Sequence, residues 1–246
     1  MIRERIYTIP VNDAFAEDGE CALCRMKRKL SDDLVTYFLG ASLMEPDVRV
    51  STNAKGFCRE HAAALYNRRE NRLGLALLLH THALESATAA KEALAKAVPR
   101  GKGGFLKRTG IRENLLEAAG RIEARVSTCA MCERVEETMA RYVDVVLWQY
   151  FEEKEFRTKL DTCKGFCLTH TADLLRGAAK HLDDGQAEYF AKVLARVTGD
   201  NFDRLAGELE GFTLLHDHRN RDKPAGASKD ALPRMIRKLE SDVDLD

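Results

Sequence analysis

The sequence predicts an all-α fold, a duplicated helical bundle carrying two pseudo-equivalent Cys3His metal sites. Three observations predict it. Apolar residues recur at three- and four-residue steps through most of the chain, without the alternation that marks a half-buried strand. A CxxC pair followed by GFCxxH occurs twice, at a nearly constant offset. The composition is that of a globular chain: 246 residues with 45% apolar and 32% charged side chains can bury one substantial core or two small ones.

The first helix is expected from Cys21 to Met44, because Leu30, Leu34, Tyr37, Phe38 and Ala41 fall on one stripe. Pro46 and Gly56 then break the period, and residues 45–57 read as an irregular, extended return. A long helical stretch follows from Phe57 to Ala97. Its most apolar run, LGLALLLHTHAL from Leu73 to Leu84, has 12 residues. That is well short of the roughly 20 needed to cross a bilayer, so it reads as a buried core helix. VPRGKGGFLKRTG, from Val98 to Gly110, is rich in glycine and basic residues and reads as a linker.

The second half repeats the plan. Val135, Met139, Tyr142, Val143, Val146 and Tyr150 place a helix from Cys129 to Glu155, followed by the irregular RTKLDTCKG. Helices from Phe166 to His181 and from Gly185 to Phe212 come next. After NRDKPAGASKD, a short amphipathic helix runs from Ala231 to Leu239, with Pro233 tolerated in its first turn. The expected organisation is a first half at 1–98, a linker at 99–110, a second half at 111–212 and a polar C-terminal segment at 213–246.

MIRERIYTIPVNDAF has charges and no apolar core of the length a secretory signal needs, so a cytoplasmic protein is expected. In that reducing setting seven cysteines point to metal or catalysis rather than to stable disulfides. Cys21 and Cys24 form CALC, and Cys58 with His61 follows after 33 intervening residues. Cys129 and Cys132 form CAMC, and Cys167 with His170 follows after 34. The offset between copies is 108 residues at the cysteine pair and 109 at the Cys–His pair, the mark of an internal repeat.

Within each half the four donors are expected to meet: Cys21, Cys24, Cys58 and His61 in one site, Cys129, Cys132, Cys167 and His170 in the other. A helix of about 30 Å carries the chain away from Cys24, and an extended 45–57 segment is long enough to bring Cys58 back. The second return is tighter, so the Cys129 helix is expected to end early or bend. Each CxxC should sit at a helix N-terminus and each CxxH in the first turn of another helix. There the dipole and free N–H groups favour thiolate, and residues three apart face one ion. Three thiolates and one imidazole form a closed shell typical of structural zinc, and thiolate-rich ligands also suit an iron–sulfur cluster or a redox dithiol. A c-type haem would need CxxCH, and Arg25 and Glu133 occupy those histidine positions.

Cys163 reads as a small loop residue, with a fifth donor or a resolving thiol as alternatives; the first copy has Ala54 at that place. His80 and His82 stand two apart on a helix, face different ways and make a poor chelate. His216, Asp217 and His218 form a polar cluster that could serve a ligand, or simply end a solvated helix. Thirty-nine basic residues balance thirty-nine acidic ones, which argues against a nucleic-acid or anionic-membrane partner. The basic runs RMKRK and NRRENR keep a nucleic-acid-associated zinc protein as one alternative. No nucleotide-binding, hydrolase or calcium motif occurs, so an enzyme is not the expectation.

CALC, the run YFLGASLMEPDVRVSTNAKGFC, the second CxxC with GFCxxH, and RNRDKPAGASKDALPR, in that order, resemble an uncharacterised bacterial family of unknown function. The resemblance covers nearly the whole chain. It implies an all-helical soluble protein and supplies no activity. The expected function is a zinc-binding helical scaffold that meets a protein partner or a second copy of itself. The alternative is a thiol or iron–sulfur redox or sensor protein.

Overall fold

A computed structural model describes residues 5–98, 110–215, 226–241, 243 and 245. Among the described residues the chain is all-α, with eleven α-helices and no strand. Local signals set the helix ends. α1 (Thr8–Ala16) precedes α2 (Ala22–Leu39), which is shorter than the stripe suggested. The segment expected to be irregular winds instead into α3 (Pro46–Lys55), with Pro46 in the first turn, where its missing N–H costs nothing. Gly56, at φ 61°, ends it.

The stretch expected as one helix from Phe57 to Ala97 is two, α4 (Arg59–Arg68) and α5 (Arg72–Ala97). Arg69, at φ 64°, takes the chain out of the helical basin. Asn71 then caps α5, its side chain accepting from Gly74 N at 2.8 Å while its Nδ2 donates to Leu39 O at 2.8 Å. α6 (Ile111–Val126) leads to α7 (Ala130–Glu152), which ends early as expected. Glu153 is extended, and α8 (Lys154–Asp161) restarts the helix. α9 (Leu168–His181), α10 (Asp184–Leu215) and α11 (Ala231–Glu240) match the sequence reading closely. Residues 99–109 of the expected linker, and the cluster His216, Asp217 and His218, lie outside the described residues.

The chain packs as two compact units, Met1–Lys29 with Glu137–Asp246, and Leu30–Glu136. The division falls inside α2 and α7, so each of these helices gives residues to both units. In the first unit Leu23, Tyr150, Phe156, Phe166, Leu174 and Phe190 are buried. Aromatic edges lock it, with Phe15 against Phe156 at 4.9 Å and Tyr150 against Phe190 at 5.2 Å between ring centroids. In the second unit Val35, Phe38 and Leu39 of α2 pack with Val48, Leu65 and Leu75 and with Cys129, Ala130 and Met131 at the start of α7.

α5 and α6 meet through small residues, Ala93, Ala97 and Ala118, with Ile122 beside them. The run from Leu73 to Leu84 is therefore not the buried core helix its composition suggests. Leu75 and Leu78 are buried, whereas Leu73 is 72% and Leu77 52% exposed. Leu84 and Leu94 are exposed as well. A helix covered on one side by α3 and α6 keeps its opposite leucines in solvent.

Candidate metal centres

All eight donors predicted from sequence come together, in two groups of four whose ligand atoms lie within 4.8 Å of one another. The grouping is not the one expected. Cys21 and Cys24 join Cys167 and His170, and Cys129 and Cys132 join Cys58 and His61. Each centre thus takes its CxxC from one copy of the repeat and its CxxH from the other, and each lies wholly within one compact unit.

The connector explains the exchange. A helix of 18 residues advances the chain about 27 Å. An extended return could undo that, but residues 46–55 form α3. Phe57 and Cys58 stay beside the last turns of α2, the Phe57 ring 5.6 Å from Phe38. What packs there is the first turn of α7, bearing Cys129 and Cys132.

All four donor pairs are built alike. Cys58 and Cys167 are the residues just before α4 and α9, in extended conformation, and His61 and His170 stand three residues on, inside the first turn. Cys21 and Cys129 occupy the same place before α2 and α7, with Cys24 and Cys132 three residues on. Sulfur serves as a cap: Cys167 Sγ accepts from His170 N at 3.5 Å, and Cys129 Sγ from Cys132 N at 3.4 Å. Helix N-termini thus face the sulfurs, as expected for sites that hold thiolate.

The repeated KGFC tetrapeptide has a part for each residue. Gly56 and Gly165 both take positive φ, 61° and 72°. A Cβ on Gly165 would stand 2.9 Å from Val197 O, and one on Gly56 would stand 2.4 Å from the His82 ring. Both lysines reach to the CxxC partner's segment, Lys55 to Glu133 and Lys164 to Asp18. Phe166 is buried and Phe57 half-buried.

Within the first group His170 Nδ1 lies 3.5, 3.3 and 3.1 Å from the sulfurs of Cys21, Cys24 and Cys167. Cys24 Sγ is 3.6 Å from Cys167 Sγ. Within the second, His61 Nδ1 lies 3.2, 3.4 and 3.3 Å from the sulfurs of Cys58, Cys129 and Cys132. Cys58 Sγ is 3.7 Å from Cys132 Sγ. Bonds of about 2.3 Å to sulfur and about 2.0–2.1 Å to nitrogen give tetrahedral edges of about 3.8 Å for S–S and about 3.5 Å for S–N. The donors therefore fit a single four-coordinate ion at each centre, with no position left for water or substrate.

The same crowding shifts the protons. Burial pushes the Cys21 thiol up to about 12, while hydrogen bonds from Cys21 and Cys24 hold Cys167 far below the usual thiol range. Burial disfavours an imidazolium at His170, yet Cys167 and Cys24 raise it to about 9. Burial also opposes the Cys129 thiolate, and hydrogen bonds from His61 and from the backbone at Cys132 and Cys58 bring it down to about 6.

The centres differ in their surroundings. In the first, Cys21, Cys167 and His170 are buried; in the second only Cys129 is. A cavity of about 600 Å³ adjoins the first, where Cys21 and Cys24 line it with Arg25, Arg28, Arg204 and Arg234. Glu208 is held below the usual carboxylate range there: burial opposes its charge, but Arg204 and Arg234 outweigh it.

Cys163 belongs to neither group. It is a loop residue whose carbonyl accepts from Asn201 Nδ2 at 3.2 Å, and burial pushes its thiol up. His82 Nδ1 lies 2.9 Å from Asn53 O, and His80 is exposed. Neither is a donor to a centre.

None of the described helices is long and apolar enough to cross a membrane. No match to the chain was found among curated proteins or among solved structures. The order CxxC, GFCxxH, CxxC, GFCxxH, which the fold uses to build both centres, extends over a chain that matches one sequence family from residue 2 to residue 246, and the protein belongs to that family of unknown function, DUF6062.

Proposed function

We propose that the protein is a zinc-stabilised helical scaffold that meets a protein partner. The observation that carries the metal reading is the size of the two donor sets. Their S–S and S–N separations match the edges of one zinc tetrahedron. An iron–sulfur cluster interposes several bonds between its cysteines and needs them further apart. The closed shells argue for zinc as a brace rather than as a Lewis acid. A reducing, cytoplasmic setting suits seven free thiols.

Elemental analysis with a visible absorption spectrum, on protein purified without oxygen or chelator, tests this. Two zinc equivalents per chain and no colour are expected. Iron with sulfide absorption would move the protein to the redox or sensor class.

The partner reading rests on α5. Leu73, Leu77, Leu84 and Leu94 are all at least half exposed on one helix, at steps of four, seven and ten residues that keep them on one side. Such a stripe suits an apolar helical face on another protein, and a second copy of this chain is the simplest candidate. Sedimentation is expected to show a dimer, and Leu77→Glu with Leu84→Glu to convert it to a monomer with an unchanged helical spectrum. A monomeric wild type would exclude the second copy.

A further inference from the structure

The two ligand-bearing segments are joined in a different way within each centre. In the second unit the segments bearing the ligand pairs bond directly: Thr128 Oγ1 donates to Lys55 O at 2.9 Å, and Ala130 N donates to Gly56 O at 3.0 Å. At the place of Thr128 the first copy has Glu20, and at the place of Lys55 the second copy has Lys164. Beside the direct Lys164–Asp18 ion pair, a third element bridges the two backbones at the first centre. Lys238 of α11 donates to Glu20 O at 2.7 Å and also to Lys164 O.

Lys238 is fully buried, although lysine almost never is unless paired. It bonds the residue before Cys21 and the residue three before Cys167 with one ammonium group. Two further contacts bring α11 to the same place. Ser241, just after the helix, has its Oγ 3.6 Å from Cys24 Sγ. Arg234 pairs with Glu20 Oε1 at 3.1 Å and with Glu208 Oε2 at 2.6 Å. α11 lies outside the repeat, and nothing described at the second centre corresponds to it.

We propose that α11 is a latch on the first metal centre, with Lys238 as the positioning residue that joins its two ligand-bearing segments. The proposal rests on the reading of that centre as a metal site. A divalent ion with three thiolates and a neutral imidazole carries one net negative charge, and a buried ammonium beside it is favoured when the ion is bound. Linkage makes the effect reciprocal: the ion holds α11 down, and α11 tightens the ion. Loss of that one ion frees a helix bearing Arg234, Arg237 and Lys238, so the first centre couples metal supply to exposure of a basic segment. Among the described residues the second centre has no such readout.

The test uses the full chain loaded with zinc. A chromogenic chelator follows release of each equivalent, cysteine alkylation maps which centre has emptied, and hydrogen exchange reports α11. In Lys238→Met, which removes the ammonium and keeps the apolar stem, the first centre should release zinc about 10–100-fold faster, with the second unchanged. In wild type, α11 should lose protection as Cys21, Cys24 and Cys167 become alkylated, not as Cys58, Cys129 and Cys132 do; this arm needs no variant. Wild type holding less than one equivalent would overturn the metal reading and the latch with it. Full loading, with unchanged release from Lys238→Met or with α11 protected after the first centre empties, would overturn the latch alone.

Discussion

Two double cysteine substitutions, one drawn from both copies of the repeat and one from a single copy, are expected to give opposite metal contents. Cys58→Ala with Cys129→Ala removes two donors from one centre, so one zinc equivalent should remain. Cys21→Ala with Cys58→Ala removes one donor from each, and both should be lost. Pairing within each half would invert the result: the first double variant would empty the protein and the second would keep one ion. Elemental analysis of the two variants separates the arrangements without a structure. Stability should follow the metal, because a closed structural site contributes on the order of 10 kcal/mol of folding free energy at neutral pH. In the first variant the loss falls on the unit spanning Leu30–Glu136, while Cys21, Cys24, Cys167 and His170 stay assembled. A calorimetric scan should then show an early transition absent from wild type.

Which eight side chains gather into clusters is legible because it depends on local chemistry. A cysteine just before a helix and a second donor three residues on share a face wherever that helix goes, so Cys58 with His61 and Cys167 with His170 follow from spacing alone. Which pair meets which depends on residues 45–57, where Pro46 reads from sequence as a breaker. Pro46 opens α3, a position that proline favours, and ten helical residues in place of an extended strand keep Cys58 at the far end of α2. The apolar run at Leu73 to Leu84 shows a different limit. Six leucines among its 12 residues identify a helix without saying which side is covered, since the covering residues belong to α3 and α6. Lys238 carried no signal: a lysine in a short amphipathic helix reads as solvated until Glu20 O and Lys164 O are seen to converge on it.

The two phenylalanines of the repeated KGFC should not be equivalent. Phe166 is fully buried in the first unit, with the Phe15 ring 6.2 Å away and Cys167 next in the chain. Phe166→Ala removes a whole ring from a closed core and should cost about 3–5 kcal/mol, measured by urea denaturation of the zinc-loaded protein. Phe57 is half-buried and meets Phe38 edge-on at 5.6 Å. Water already reaches part of it, so Phe57→Ala should cost about 1–2 kcal/mol, in keeping with partial loss of a buried aromatic side chain. The same asymmetry bears on the ions. The first centre lies among buried ligands, and the second exposes parts of Cys58, His61 and Cys132. Chelator should therefore strip the second centre first in wild type, and Phe166→Ala should bring the two release rates closer together. Equal costs for the two phenylalanines, with unchanged release, would mean that burial of the ring does not hold Cys167 in place and that the helix N-terminus and the ion suffice.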